Sequence, residues 1–274
     1  MADITERARA LLESGEVKVV VGYRGGRRPE MPVPCFARTA AQADTLILNA
    51  YCRGGLAVYA KRETAQGPAA FVASKGDIRA LKVLAQEKQI DAERVRLIAF
   101  KCDAPGKPEG GVALLEGTRL GEFGALGEDA ESETVKTEIA RLKAMKPEER
   151  WAYWRSEFDR CVRCYACREA CAMCYCEECI ADRNLPQWIE SVARPRGNFA
   201  WNLIRAWHLA GRCSGCGACA RACPEGIRID VLNREMADVI KETFGYTAGE
   251  GGVEEAIFFA TFKEDDSERF ILEE

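Results

Sequence analysis

No apolar run in this sequence approaches the length of a membrane span. AIFFATF, residues 256–262, is among the longest and is far too short. The opening stretch, MADITERARALLESG, is charged and lacks the apolar core of a secretory signal, so neither export nor disulfide formation is expected. Basic charge is in no excess: a net charge of −4 and a pI near 5.5 argue against a nucleic-acid footprint. Histidine is almost missing, with His208 the only one. It could ligate metal or shuttle a proton, and a side chain packed or capping near a helix end is the plainer reading. No nucleophile or general base is legible, so no catalytic residue is assigned. The rest of the composition is ordinary. A chain of 274 residues with 47% hydrophobic and 30% charged content can bury a sizeable core, as one large or two small domains.

Cysteine is the exception, with 14 residues in a chain that shows no export signal. Eight of them form two runs of C-x2-C-x2-C-x3-C: Cys161, Cys164, Cys167 and Cys171, then Cys213, Cys216, Cys219 and Cys223, with Pro224 after the second. This is the bacterial ferredoxin spacing for 4Fe–4S clusters. Three thiolates two residues apart can cover three corners of an iron cubane, but the chain cannot wrap tightly enough to cover the fourth. In two-cluster ferredoxins the last cysteine of each run serves the other cluster. The expected ligand sets are therefore Cys161, Cys164, Cys167 and Cys223 for one cluster, and Cys213, Cys216, Cys219 and Cys171 for the other. Gly215 and Gly217 suit a loop whose N–H groups approach sulfur. Zinc prefers separated C-x2-C pairs and fits poorly. Thiolates kept reduced in the cytoplasm and used for metal is the expected picture, and exposed low-potential clusters would suit an anaerobe.

The pattern along the chain predicts an α+β protein. A helix over 3–14 precedes a buried strand, VKVVVGY, over 17–23. Arg24, Arg27 and Arg28 follow on a loop, either solvated or meeting an anion. A helix over 39–49 and a strand over 56–60 are expected next. Strand 68–74, a helix over 77–89 opened by Asp77, and strand 95–100 make a β–α–β unit, hence a parallel sheet. Residues 103–128 look like loop and 130–145 like a charged helix. Trp151, Trp154 and Phe158 share one helical face leading into Cys161, most simply as packing that shields a cluster. Between the cysteine runs, Phe199, Leu203, Ile204, Trp207 and Ala210 form the expected buried stripe of an inserted helix. A last helix follows Cys223. The expected domains are a small α/β domain at 1–128, a helical linker at 129–160, a dicluster ferredoxin-like domain with a helical insertion at 161–246, and a tail at 247–274. That tail either lies across a neighbouring subunit or is mobile.

Six cysteines remain. Cys174, Cys176 and Cys179 crowd after the first run, and could form a third centre, 4Fe–4S or zinc, with Cys102 or Cys52 as the fourth ligand. Spare structural thiols are the alternative. Cys35 reads as an ordinary cysteine.

VKVVVGYRGGRRPEMP, NAYCRGGLAVYA, ASKGDIRALKVLAQEKQIDAERVRLIAFKC and RCVRCYACREACAMCYCEECI together resemble the beta-subunit family of deazaflavin-dependent hydrogenases and formate dehydrogenases, in its shorter bacterial form with a 4Fe–4S dicluster domain. The resemblance runs from about Glu16 to about Tyr246. It implies a subunit that passes electrons between a catalytic oxidoreductase subunit and a flavoprotein or disulfide-reductase-like partner. Two positions depart from the family: the stretch Lys75-Gly76-Asp77 lacks a cysteine found there in relatives, and Ala172 stands where such runs usually have proline. The chain also looks too short for the family's full flavin site, so flavin is not carried over. A flavin held near Arg24 to Arg28 and Lys75 to Arg79, with its own substrate chemistry, is the competing expectation. A module in which metal only staples the fold is the third.

Overall fold

Short β-branched and alanine-rich runs build the sheet, in a computed structural model that describes residues 3–127, 132–183, 185–261 and 264. Helix α1 (Ile4–Glu13) lays Ile4 and Ala8 into the core beside strand β1 (Val19–Arg24), which is buried as far as Tyr23. Strand β2 (Val33–Ala37) returns antiparallel, pairing Ala37 with Val20 and Val33 with Arg24. The sequence reads as loop here because of Pro32 and Pro34, but an edge strand tolerates proline. Helix α2 (Ala40–Ala43), capped by the Thr39 side chain, is much shorter than the predicted helix over 39–49. The predicted strand over 56–60 is a helical segment instead: a 3-10 turn, Leu56–Tyr59, runs into helix α3 (Ala60–Ala65). Leu56, Ala57, Ala60, Glu63 and Thr64 are the buried positions, a helical period that the five-residue reading window cut in half.

Strand β3 (Ala69–Ala73), helix α4 (Lys75–Gln86) and strand β4 (Val95–Cys102) form the expected β–α–β unit, with Ala69 opposite Val95 and Ala73 opposite Ala99. β3 also pairs parallel with β1. Strand β5 (Val112–Leu114), in a stretch that reads as loop, adds an antiparallel edge to β4. The five-stranded sheet runs β2-β1-β3-β4-β5, parallel at its centre and antiparallel at both edges. Ser74, not Asp77, caps α4. The Asp77 carboxylate instead closes a capping box, accepting from the Ser74 N–H and Oγ and from the Ala57 N–H.

Helix α4 is buried nearly all round, Arg79 and Lys82 included. The reason is the C-terminal segment, which lies along it as a strap. Glu250 pairs with Arg79 at 2.7 Å and accepts from the Leu126 N–H, Lys82 donates to the Gly251 carbonyl at 3.1 Å, and Gln86 donates to that of Gly252 at 2.8 Å. The tail expectation is thus corrected for residues 249–252. The boundary drawn at 128/129, the start of the predicted helix over 130–145, and the acidic end past 261 other than 264 lie outside the described residues.

The second half is helical. Helices α5 (Ser132–Lys143) and α6 (Pro147–Asp159) enclose a second core of Ile139, Leu142, Trp154, Phe158, Ile227 and Val231. Trp151 is exposed against the half-buried Phe199, their rings 4.9 Å apart. One-turn helices α7 (Ala166–Glu169) and α9 (Ala218–Arg221) sit inside the two cysteine runs. Helix α8 (Pro195–His208) is the insertion between the runs, and α10 (Ile229–Phe244) packs against α5, α8 and α9. The orientation of α8 corrects the sequence reading. Gly197, Asn198, Trp201, Asn202, Arg205 and Ala206 face inward, while Trp207 and His208 are exposed.

Candidate metal centres

Each cysteine run folds as a curled loop leading into a single helical turn. The backbone turns left-handed at matching places, Arg163 and Tyr165 around Cys164 and Gly215 and Gly217 around Cys216, all with φ between 58° and 72°. Alternating hands turn successive N–H groups inward and make a concavity suited to anionic sulfur. Glycine adopts this conformation freely in the second loop. In the first loop arginine and tyrosine adopt it, at about 1–2 kcal/mol each. Arg163 is held there by its guanidinium, which donates to the carbonyls of Gly197 at 2.7 Å and Glu190 at 2.8 Å and lies 5.5 Å from the ring centres of Tyr165 and Trp201.

Two cavities open beside these loops. The smaller is lined by Cys161, Cys164, Cys167 and Cys223, with Trp201 and Asn202 of α8 completing the wall. The larger, about 820 Å³, has Cys171, Cys213, Cys216 and Cys219 in its wall. Each run therefore places its last cysteine in the other run's cavity. The electrostatic neighbours divide in the same way: Cys167 senses Cys161, Cys164 and Cys223, and Cys219 senses Cys213, Cys171 and Cys216. Among the described residues, no three Cys, His, Asp or Glu side chains converge tightly enough to grip one metal ion. A cubane offers a separate iron at each corner, so its thiolates stand further apart than ligands around a single zinc.

Burial dominates the thiol chemistry. It pushes Cys213 up to about 12, raises Cys167 and Cys216, and lifts Cys219 well above the usual range. Thiols of this kind become thiolates by binding metal. Cys171 shifts the other way, downward, chiefly because the Cys174 thiol hydrogen-bonds to its sulfur, with the Arg205 charge adding to the effect. Backbone and amide donors also reach sulfur: the Ile227 N–H lies 3.4 Å from Cys223 Sγ, and Asn233 Nδ2 lies 3.9 Å from Cys219 Sγ.

The sheet domain closes on the second loop at the start of α4. A Cβ on Gly76 would stand 2.8 Å from Cys216 Cβ and 2.9 Å from its Cα, so only glycine permits this approach. Arg221 donates to the Cys216 carbonyl at 2.7 Å and to that of Arg53 at 2.6 Å, tying the loop to the sheet domain.

The other cysteines are dispersed. Cys52 and Cys102 share the wall of the large cavity, and burial pushes Cys52 to about 11. Cys174 lies beside Cys171, Cys176 is exposed, and Cys179 packs near Trp201 and Ile189. The structure thus places Cys52 and Cys102 together but does not gather Cys174, Cys176 and Cys179 into that wall. Cys35 is half-buried on β2. Arg24, Arg27 and Arg28 are exposed, whereas Lys75 and Arg79 line the large cavity. Four residues of the site escaped the sequence reading: Gly76, Asn198, Asn202 and Arg205. The last three recur at helical spacing on the side of α8 opposite Trp207, a polar stripe legible in retrospect.

Comparison with known proteins adds to this geometry. Residues 208–229 match the family of 4Fe-4S binding domains. The chain is 33% identical over 97 residues to the F420-dependent formate dehydrogenase subunit beta of Methanocaldococcus jannaschii, an alignment covering 35% of this chain and 25% of that one. It is 26% identical over 57 residues to the F420-dependent formate dehydrogenase 1 subunit beta of Methanococcus maripaludis, covering 21% and 14%. The aligned segments thus span a quarter or less of these relatives' length. The resemblance read from the sequence holds: this chain carries a 4Fe-4S binding domain and shares sequence with the beta subunits of formate dehydrogenases.

Proposed function

We propose that this chain is the iron–sulfur electron-transfer subunit of a multi-subunit oxidoreductase, with two 4Fe–4S clusters side by side. The observation that carries the reading is the exchange of Cys171 and Cys223 between the two cysteine-lined cavities. Cys161, Cys164, Cys167 and Cys223 would hold one cluster, and Cys213, Cys216, Cys219 and Cys171 the other. Such groups supply one-electron exchange, with potentials set by hydrogen bonds to sulfur, burial and charge. The chain's own part is to fix the two sites close together, to keep water away with Trp201, Ile227 and Ile229 at the first, and to aim N–H groups at sulfur. Cys164 is exposed, which brings the first site nearest to an external donor or acceptor.

The names of the relatives favour a formate dehydrogenase-type catalytic subunit as partner; a flavoprotein or disulfide-reductase-like subunit on the other side, in a reducing cytoplasmic setting, completes the proposal. Iron and acid-labile sulfide analysis of anaerobically prepared protein tests the reading. About eight irons per chain, four to each cubane, supports it. Zinc in both sites overturns it. About twelve irons would add a third centre, with Cys174, Cys176, Cys179 and either Cys102 or Cys52 as its candidate ligands.

A second reading has one observation in its favour. A cavity of about 820 Å³ falls in the range that accommodates organic cofactors, and Lys75, Arg79, Arg53 and Lys101 line it beside the second cysteine set. Stoichiometric flavin extracted from the isolated chain would favour it.

A further inference from the structure

Helix α8 buries polar side chains beside Trp201 and leaves its second tryptophan, Trp207, exposed. Asn198, Asn202 and Arg205 are each 3% exposed or less, whereas Trp207 is 62% exposed. Polar side chains are rarely buried this deeply, so the packing of Trp201 and Ala206 on the same face does not by itself account for the orientation. The asparagines explain part of it: Asn198 Nδ2 donates to the Cys161 carbonyl at 2.7 Å and Asn202 Nδ2 to the Asn198 carbonyl at 2.8 Å.

Arg205 is not explained by protein contacts. Its Nη2 donates to the Cys167 carbonyl at 2.8 Å, but its buried Nε and Nη1 have no hydrogen-bond partner. Among the described residues no carboxylate pairs with it. A buried guanidinium without a counter-charge is strongly unfavourable, so an anion belongs beside it. Its leading charge neighbours include cysteines of both sites, Cys171 and Cys219 of the second and Cys167 of the first, with Cys174 beside Cys171. Cys167 lines the first cavity, and Cys171 and Cys219 line the second.

We propose that Arg205 is a shared cation between the two cluster sites, a positioning residue whose charge holds both reduction potentials higher than the loops alone would set. The inference rests on the two-cluster reading above. A cubane bound by four thiolates is anionic and gains a further negative charge on reduction. A fixed cation in a low-dielectric setting therefore favours the reduced form, and N–H donation to sulfur acts in the same direction. Because one guanidinium serves both sites, its removal moves both potentials together. Arg221 offers the contrast, since the cysteine carbonyl to which it donates, that of Cys216, belongs to the second loop.

The test is an EPR-monitored redox titration of anaerobically purified full-length chain, with iron counted per chain. In Arg205→Gln both midpoint potentials should fall, Arg205→Lys should stay near wild type, and Arg221→Gln should move at most the second. Unchanged potentials in Arg205→Gln, or a shift at one site only, would overturn the inference while leaving the two-cluster reading intact. If Arg205→Gln fails to keep its iron, Arg205→Lys decides. Full iron and wild-type potentials with lysine support a role for charge, and loss of iron with lysine too would reduce Arg205 to a clamp on the Cys167 carbonyl and overturn it. Wild-type protein holding fewer than two clusters would instead end the reading on which the inference rests.

Discussion

Single atoms decide how the two halves meet. Gly76 has no room for a methyl group against Cys216. Gly76→Ala should cost about 1–3 kcal/mol through overpacking, measured by denaturant midpoint, and should lower iron retention at the second site before the first. The exchange of end cysteines gives a sharper expectation: Cys223→Ser should empty or weaken the first site, although residue 223 follows the second run, and Cys171→Ser should do the reverse. Separate EPR signals of the reduced protein check this. The eight cysteines were legible because thiolate spacing is dictated by cluster geometry, whatever the surroundings. Gly76 was not, because nothing local distinguishes a glycine that starts a helix from one pressed against a distant loop. Arg205 was not, because its burial depends on charges that the amino-acid letters do not display.

Helices and strands were legible wherever one period dominated. The valine and alanine runs of β1, β3 and β4 announce buried parallel strands, and Ile78, Leu81 and Leu84 announce α4. Edge strands β2 and β5 were missed because prolines and glycines surround them, and only the neighbouring strand makes them regular. For α8 the sequence offered two stripes, and choosing the apolar one gave the wrong face. The observed orientation makes a direct expectation. Trp207→Ser should change stability by less than about 0.5 kcal/mol, as for an exposed site, while Asn198→Ala should cost about 1–3 kcal/mol by leaving the Cys161 carbonyl without its donor. Thermal or denaturant unfolding compares the two. The strap carries its own test. Glu250→Gln should cost about 1–3 kcal/mol, since Glu250 serves both the buried Arg79 and the Leu126 N–H. Just before the strap, burial pushes the Tyr246 hydroxyl up from the ordinary 10 to about 12. The folded chain thus keeps a proton that the unfolded chain releases. That contribution to stability is complete below pH 10 and disappears as pH rises through 12.

Across the whole molecule, two cores of different kinds sit side by side. The sheet domain is held by ordinary apolar burial around β1, β3 and β4. The helical half has a smaller apolar core, ringed by partly buried cysteines, and its two cysteine loops curl around cavities. Stripping iron with a chelator under reducing conditions should therefore loosen residues 160–225 first, while the amides of the central strands stay protected. Hydrogen exchange with and without iron reads this out, and equal loosening in both halves would contradict it. The strap bears on the junction of the two halves: residues 249–252 hold α4, whose first turn meets the Cys216 loop.

Because Cys171 lines the second loop's cavity and Cys223 the first's, the two cysteine loops are clasped like linked hooks. On the two-cluster proposal, neither hook could be cut out as a mini-protein and still offer four thiolates to a cubane. Any drift that separates the loops disables both centres at once, so this pair is gained or lost as a unit.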